Sequence, residues 1–222
     1  MNLTSRIVLT VFALGIAALG LAAISQQPDN IYKTVHNATF QIGQETVTGA
    51  ATCSATAIGP HALLTASHCE LPSDDLYLRG VDDSLSISKR LRDNMDHTIF
   101  LVSGYTFKTF VKIDQNDPLY QGEDVFYFGN PHGYKDFLRK GYIVGYLSEG
   151  GGLFEEEGPT HIIIDINSFF GDSGAGVFND KGDVIAVLSQ LSQDKLNDVD
   201  FKITSAFELK FTPEQLVESA KP

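Results

Sequence analysis

Gly171-Asp172-Ser173-Gly174 sets a serine between flanking glycines. A serine hydroxyl is a weak nucleophile until a base removes its proton, and an acyl intermediate needs donors aimed at its oxyanion. Glycines around such a serine permit a tight turn that leaves the hydroxyl and successive backbone N–H groups pointing one way. The bland alternative is a Gly/Asp/Ser turn; at a glycine frequency near 7%, chance gives this tetrad in roughly fewer than one chain in a hundred of this length. A candidate base stands in Leu64-Thr65-Ala66-Ser67-His68-Cys69, where an imidazole ends an apolar run directly before a cysteine. The imidazole in turn needs a carboxylate to orient it and to stabilise the imidazolium. Asp96 lies 28 residues further on, immediately before the apolar run Thr98-Ile99-Phe100-Leu101-Val102. Asp74, Asp75, Asp82, Asp83 and Asp93 compete for that role, but they sit in polar runs that read as solvated turns.

Short strands must position these groups. Thr39 to Thr48, Ala51 to Ile58, Ala62 to Ala66, Leu76 to Leu78, Leu85 to Ile87, Thr98 to Val102 and Thr109 to Ile113 are rich in β-branched and aromatic residues and are broken by Gly, Pro, Asn and Asp. A second series comprises Asp124 to Phe128, Tyr142 to Leu147, His161 to Ile166, Gly174 to Phe178, Val184 to Leu191 and Phe201 to Ser205. Two groups of about six strands predict an all-β protein of two small barrels, one over residues 31–113 and one over 123–222. The polar, turn-rich segment 114–122 is the expected boundary between them. Thr212-Pro213-Glu214-Gln215 has a capping residue, a Pro in the first turn and a Gln three residues on, which predicts a short terminal helix.

The chain of 222 residues, 43% hydrophobic and 20% charged, is long enough to bury a core and too apolar to stay disordered. A net charge of −12 repels phosphate backbones, so nucleic acid is excluded as an expected partner. From Ile7 to Ile24 there are 18 residues without a charge, preceded by Arg6. That length falls between the apolar region of a signal peptide, about 7 to 15 residues, and a spanning helix of about 20. Residues 1–25 therefore read as either a cleaved signal peptide or an uncleaved signal anchor. On both readings the rest of the chain is exported, to a periplasmic or extracellular space, secreted or tethered. Ser25 to Asn30 reads as a polar linker. Cys53 and Cys69 are an even pair, open to a bridge or to two separate thiols.

The stretch from Thr52 to Cys69 resembles the first-barrel segment of the trypsin-like (chymotrypsin-fold) serine peptidases, in which the catalytic His precedes a bridged Cys. Residues 171–174 resemble the nucleophile motif of that family. Asp96 resembles the aspartate of the family's D-x-A-x-L-x-V element, with Thr98 where a small residue is more usual. Gly129-Asn130-Pro131-His132-Gly133 with Gly141-Tyr142-Ile143-Val144, and Asp165 six residues before Gly171, resemble the HtrA-like, compact bacterial branch. The resemblance spans roughly residues 33 to 208, with two departures: Asp172 replaces the Asn usual in HtrA-like loops, and no PDZ module follows.

The resemblance implies a serine endopeptidase acting on proteins or peptides, with His68, Asp96 and Ser173 as catalytic triad. It also implies the N–H groups of Gly171 and Ser173 as oxyanion hole and a Cys53–Cys69 bridge. The substrate pocket is expected from Asn167, Ser168, Phe169 and Phe170 together with Leu188, Ser189, Gln190 and Leu191. Asn167 at the pocket base carries no charge and Leu188 stands where glutamate-specific members place a His, so a neutral, small or medium side chain is the expected preference. Asp172 is assigned a structural role in its loop. The competing reading is a catalytically silent double barrel that serves as a binding module at the membrane. No cofactor or metal is expected: His36, His61, His97, His132 and His161 show no paired ligand spacing and read as surface or strand residues. Glu155-Glu156-Glu157 reads as a solvated loop tip.

Overall fold

The computed structural model describes residues 28–46, 49–70, 73–81, 85–116, 118–148, 160–196 and 199–222. The apolar segment 7–24, Asp82, Asp83 and Glu155 to Glu157 lie outside the described residues. Among the described residues no helix is long and apolar enough to cross a membrane.

The first barrel closes from β1 (Thr39–Thr46), β2 (Gly49–Gly59), β3 (Ala62–Ala66), β4 (Asp75–Leu78), β5 (Leu85–Arg92) and β6 (His97–Ser103), in the order β1-β2-β3-β6-β5-β4. The second closes from β7 (Asp124–Gly129), β8 (Phe137–Ser148), β9 (Thr160–Ile164), β10 (Gly176–Phe178), β11 (Val184–Leu196) and β12 (Val199–Glu208), in the order β10-β11-β12-β9-β8-β7. Every described pairing between neighbouring strands is antiparallel, and closure leaves neither sheet with an open edge. Alternation of apolar residues fills the interiors. Ile42, Leu64 and Ile99 are at most 1% exposed in the first barrel. Val125, Tyr127, Ile143, Ile162 and Leu188 cluster in the second. Each such side chain contributes about 1.5–3 kcal/mol on full burial.

Several elements differ from the sequence expectation, and β5 and β11 run past their expected ends at Ile87 and Leu191. Residues 28–30 do not act as linker: they open a helix, α1 (Pro28–Ala38), that runs straight into β1. Val35 and Ala38 of this helix are fully buried, and the Val35 carbonyl accepts from Thr39 Oγ1 at 2.9 Å. Thr109 to Ile113 forms no strand of the first barrel, whose closure offers it no edge, and pairs through an isolated parallel bridge of Ile113 with Val184. Its backbone is divided between the barrels instead: Val111 N–H donates to Ala57 O at 3.0 Å, and Lys112 O accepts from Val184 N–H at 2.8 Å. β8 begins at Phe137, five residues before the expected Tyr142, since residues 137–142 pair with β7 and the segment beyond Ile143 pairs with β9.

The terminal helix, α2 (Pro213–Ser219), starts on a capping box in which Thr212 Oγ1 accepts from Gln215 N–H and Gln215 Oε1 accepts from Thr212 N–H at 2.8 Å. Such a cap contributes about 1 kcal/mol. α2 returns to the first barrel: Lys89 pairs with Glu218 at 2.8 Å, and a Cβ on Gly59 would stand 2.3 Å from Ser219 O.

Candidate active site

All five residues of β3 are buried, and the strand ends at Ala66 in a single 3-10 turn, Ser67–Cys69, which turns His68 outward. Cys69 is buried and joined to Cys53 of β2 by a disulfide, so the turn carrying His68 is bonded covalently to the neighbouring strand. The β3–β6 register sets Ala66 opposite His97, and Ser67 N–H donates to Asp96 O at 3.0 Å. That register brings Asp96 to the imidazole. Asp96 Oδ2 lies 2.6 Å from His68 Nδ1, and Oδ1 accepts the His68 backbone N–H at 3.0 Å. Ser189 Oγ also donates to Oδ2. Ser189 sits at a register break of β11 between Leu188 and Gln190, a bulge that re-aims its side chain out of the ladder.

The charges of this pair favour each other. The hydrogen bond that the imidazole donates to Asp96 holds the His68 pKa above its ordinary value; burial works against it and the carboxylate's charge adds to it. For Asp96, burial pushes upward, but the bonds from His68 and Ser189 outweigh it and the carboxyl titrates below the usual range. Thr98, the departure from a small residue, donates to Glu70 Oε1 at 2.6 Å and bonds Ser67 Oγ at 2.8 Å, which ties the turn to β6. Glu70 is also paired with Arg92.

The loop of Ser173 is built from spent carbonyls. His132 N–H donates to Phe170 O at 2.7 Å, and Ala175 N–H donates to Asp172 O at 3.0 Å. In a trans peptide the N–H points opposite its C=O, so the N–H groups of Gly171 and Ser173 both face away from these partners. Gly171 has φ +102°, and a Cβ there would stand 2.4 Å from Asn130 O, so only glycine fits. Gly174 has φ +84°, and its Cβ position lies 2.2 Å from both Ser54 O and Thr65 Oγ1 and 3.2 Å from Ala66 N. The nucleophile loop is therefore pressed against the strand end that carries His68. Among the described residues no hydrogen bond joins Ser173 Oγ to the imidazole; catalytic hydrogen bonds of this kind are often long before substrate binds and tighten afterwards.

Beneath the loop Asp172 is 1% exposed. Its Oδ2 accepts from Phe169 N–H at 3.0 Å and Tyr127 OH at 3.1 Å, with Arg139 Nε at 3.9 Å. Burial raises the Asp172 pKa against the pull of these donors, and burial with the adjoining carboxylate raises that of Tyr127.

The residues expected to line the pocket have varied surroundings. Asn167 is exposed and its carbonyl accepts from Tyr127 OH at 3.0 Å. Ser168 is buried against Thr204 Oγ1 at 2.9 Å, Phe169 lies 4.9 Å from the Arg139 guanidinium, and Phe170 is 78% exposed. Leu188 belongs to the core cluster of its barrel, and Ser189 is engaged by Asp96. Gln190 and Leu191 belong to β11, and their side chains lie outside the described residues.

One reading of the aspartates is corrected. Asp93 is not a solvated turn residue: its side chain is fully buried and bonds His97 Nδ1 at 2.7 Å, Met95 N–H and Lys210 N–H. It is thereby separated from His68, and burial of the hydrogen-bonded pair beside Phe207 and Phe211 gives it a structural place. Asp74 is exposed and pairs with Arg90. The sulfurs of Cys53 and Cys69 lie within 4.8 Å of an imidazole nitrogen of His68, but joined as a disulfide they offer no thiolate to a cation. A cleft of about 450 Å³ lined by Leu119, Tyr120, Asp124 and Ile185 shares no residue with this site.

Residues 53–187 match the model of the trypsin-like peptidase domain, and the chain belongs to that family of serine endopeptidases. Among curated proteins none matches the chain. Among solved structures, a mutant of Rv3671c from M. tuberculosis in its inactive form is similar at 16% identity, over 85% of this chain and 89% of that one, with a TM-score of 0.63. The active form of the same protease is similar at 16% identity over 85% and 82%, with a TM-score of 0.62. A serine endoprotease from Yersinia pestis is similar at 13% identity over 83% of this chain and 63% of that one, with a TM-score of 0.60. At such identities these likenesses speak to the fold.

Proposed function

We propose that this peptidase works through an acyl-enzyme, with Ser173 as nucleophile, His68 as base and then acid, and Asp96 as the group that orients and stabilises the imidazolium. Ser173 Oγ attacks the scissile carbonyl while His68 Nε2 takes its proton. The tetrahedral oxyanion is received by the Gly171 and Ser173 N–H groups. His68 then returns the proton to the leaving amine, and water repeats the sequence to release the acyl group. The observation that carries this reading is the double hold of Asp96 on His68, at the ring and at the backbone, beside a nucleophile loop pressed on the same strand end. The uncharged side chains of Asn167 to Phe170 favour a neutral, small or medium residue before the scissile bond. The apolar segment 7–24 and the disulfide favour export, with residues 1–25 as signal peptide or anchor.

A fluorophosphonate probe tests the nucleophile. The purified protein is expected to take the label and Ser173→Ala to refuse it; label on both, or on neither, overturns the assignment.

The pH profile tests the base. Because Asp96 favours the charged imidazole, the acid limb of kcat/KM is expected to have its midpoint above the ordinary histidine value of 6.5, with activity rising as the proton is lost. Stability is linked with opposite signs at the two groups: the contribution of His68 is complete below its unfolded pKa and is lost as pH rises through the folded one, whereas that of Asp96 is present above its unfolded pKa and is lost as pH falls through the folded one. A rate that stays level from about pH 5 to about pH 8 excludes a histidine base.

A further inference from the structure

Ser54 in β2 is fully buried and reaches across from the first barrel to both ends of the oxyanion loop in the second. Its N–H donates to Ser173 O at 2.8 Å, and its Oγ donates to Gly171 O at 2.9 Å. The direction of the second bond follows from its neighbours. Asn130, 1% exposed, donates from Nδ2 to Ser54 Oγ at 2.9 Å and faces Phe40 O at 3.4 Å. Reversing this amide would set Oδ1 against the Phe40 carbonyl, acceptor on acceptor, so the amide keeps its nitrogen there. A hydroxyl has one proton. With Asn130 donating to its oxygen, Ser54 has that proton free for Gly171 O.

The conformation of Gly171 is defined by the two peptide planes it joins. His132 N–H holds the plane on one side through Phe170 O, and Ser54 Oγ holds the plane on the other through Gly171 O. A glycine at φ +102° has little steric preference of its own for this arrangement over one in which the peptide turns its carbonyl toward the nucleophile. The bias must come from outside the residue. We infer that Ser54, its proton directed by Asn130, is the positioning residue that fixes the Gly171–Asp172 peptide and so, with His132 N–H holding Phe170 O on the other side, locks the Gly171 conformation in which its N–H is aimed at the developing oxyanion. The inference rests on the acyl-enzyme reading above and extends it to two residues that touch no substrate. Ser54 directly follows Cys53 and His68 directly precedes Cys69, so the same disulfide registers the base and the holder of the oxyanion loop.

An oxyanion donor acts only on the charge that develops in the transition state, so its displacement lowers kcat and spares KM. Ser54→Ala is expected to reduce kcat by about 10- to 100-fold, a smaller loss than the 10²–10³ of deleting a donor outright, with KM within about threefold. Affinity for a peptide boronate, which mimics the tetrahedral state, should fall in the same proportion as kcat/KM. Ser54→Thr, which retains the hydroxyl, should recover most of the loss. Asn130→Asp supplies a second, nearly isosteric variant: its carboxylate accepts the Ser54 proton and withdraws it from Gly171 O, so kcat should fall as in Ser54→Ala. If the wild type labels with fluorophosphonate while both variants keep kcat and boronate affinity, whatever their melting temperatures, the positioning role is overturned and the acyl-enzyme reading stands. If the wild type refuses the label, both fall together.

Discussion

Ser173→Ala is expected to lower kcat by about 10⁶ and His68→Ala by nearly as much, while the double substitution costs little more than either alone. The two side chains share one proton transfer, so once either is gone the other has nothing left to contribute. A residue of about 10³–10⁴ over the uncatalysed rate should persist in all three variants, supplied by the oxyanion donors and by substrate binding. Steady-state turnover of a peptide substrate, with circular dichroism to verify that each variant is folded, checks the expectation. Effects of the two substitutions that add in free energy would mean that Ser173 and His68 do not act in one step. Neither side chain belongs to a core: His68 is 46% exposed at its side chain, and the Ser173 contact to the first barrel runs through its backbone carbonyl. The variants should therefore melt close to the wild type.

Asp96→Asn is the second large effect, a loss of up to about 10⁴ in kcat with the fold intact. In the native protein Oδ2 accepts from both the imidazole and Ser189 Oγ, and Oδ1 accepts the His68 backbone N–H. An asparagine has one acceptor oxygen in place of two. If that oxygen keeps the His68 backbone N–H, the amide nitrogen faces Nδ1 and forces the proton onto Nε2, where the base must instead be free. The acid limb of the pH profile should also shift downward, because the carboxylate that favours the charged imidazole is gone. Full activity in this variant would transfer the role to another carboxylate. Asp93 is poorly placed to take it, since its own oxygens are committed to His97, Met95 N–H and Lys210 N–H.

Much of the scaffold is legible in the chain because it follows local rules. Short runs of β-branched, aromatic and other apolar residues mark β3, β7 and β11, and the Thr212–Gln215 capping box marks the start of α2. His68 and Asp96 stand out because each abuts an apolar run, and Gly171 and Gly174 stand out because they flank a serine. Other features left no such mark. The burial of Asp93 is invisible in the polar run where it stands, because Lys210 and the Phe207 and Phe211 rings beside its His97 partner come from a distant part of the chain. Thr109 to Ile113 has strand composition, yet whether it joins the first barrel depends on an edge that barrel closure removes. Ser189 reads as a wall residue until a bulge in β11 turns its hydroxyl to Asp96.

By itself, the amino-acid sequence determined the chemical inventory and its local settings: which serine, which imidazole, which carboxylates, and the short strands that end or begin at them. These follow from residue type and from neighbours a few positions away, where steric and hydrogen-bond preferences act directly. Tertiary structure alone decided which groups meet and which way each hydrogen bond runs. Ser54 and Gly171 are 117 residues apart, and Asn130 and Ser54 are 76 apart, so no local pattern links them. Only the docking of one closed barrel on the other brings the three together, and only there does the single proton of Ser54 acquire a direction.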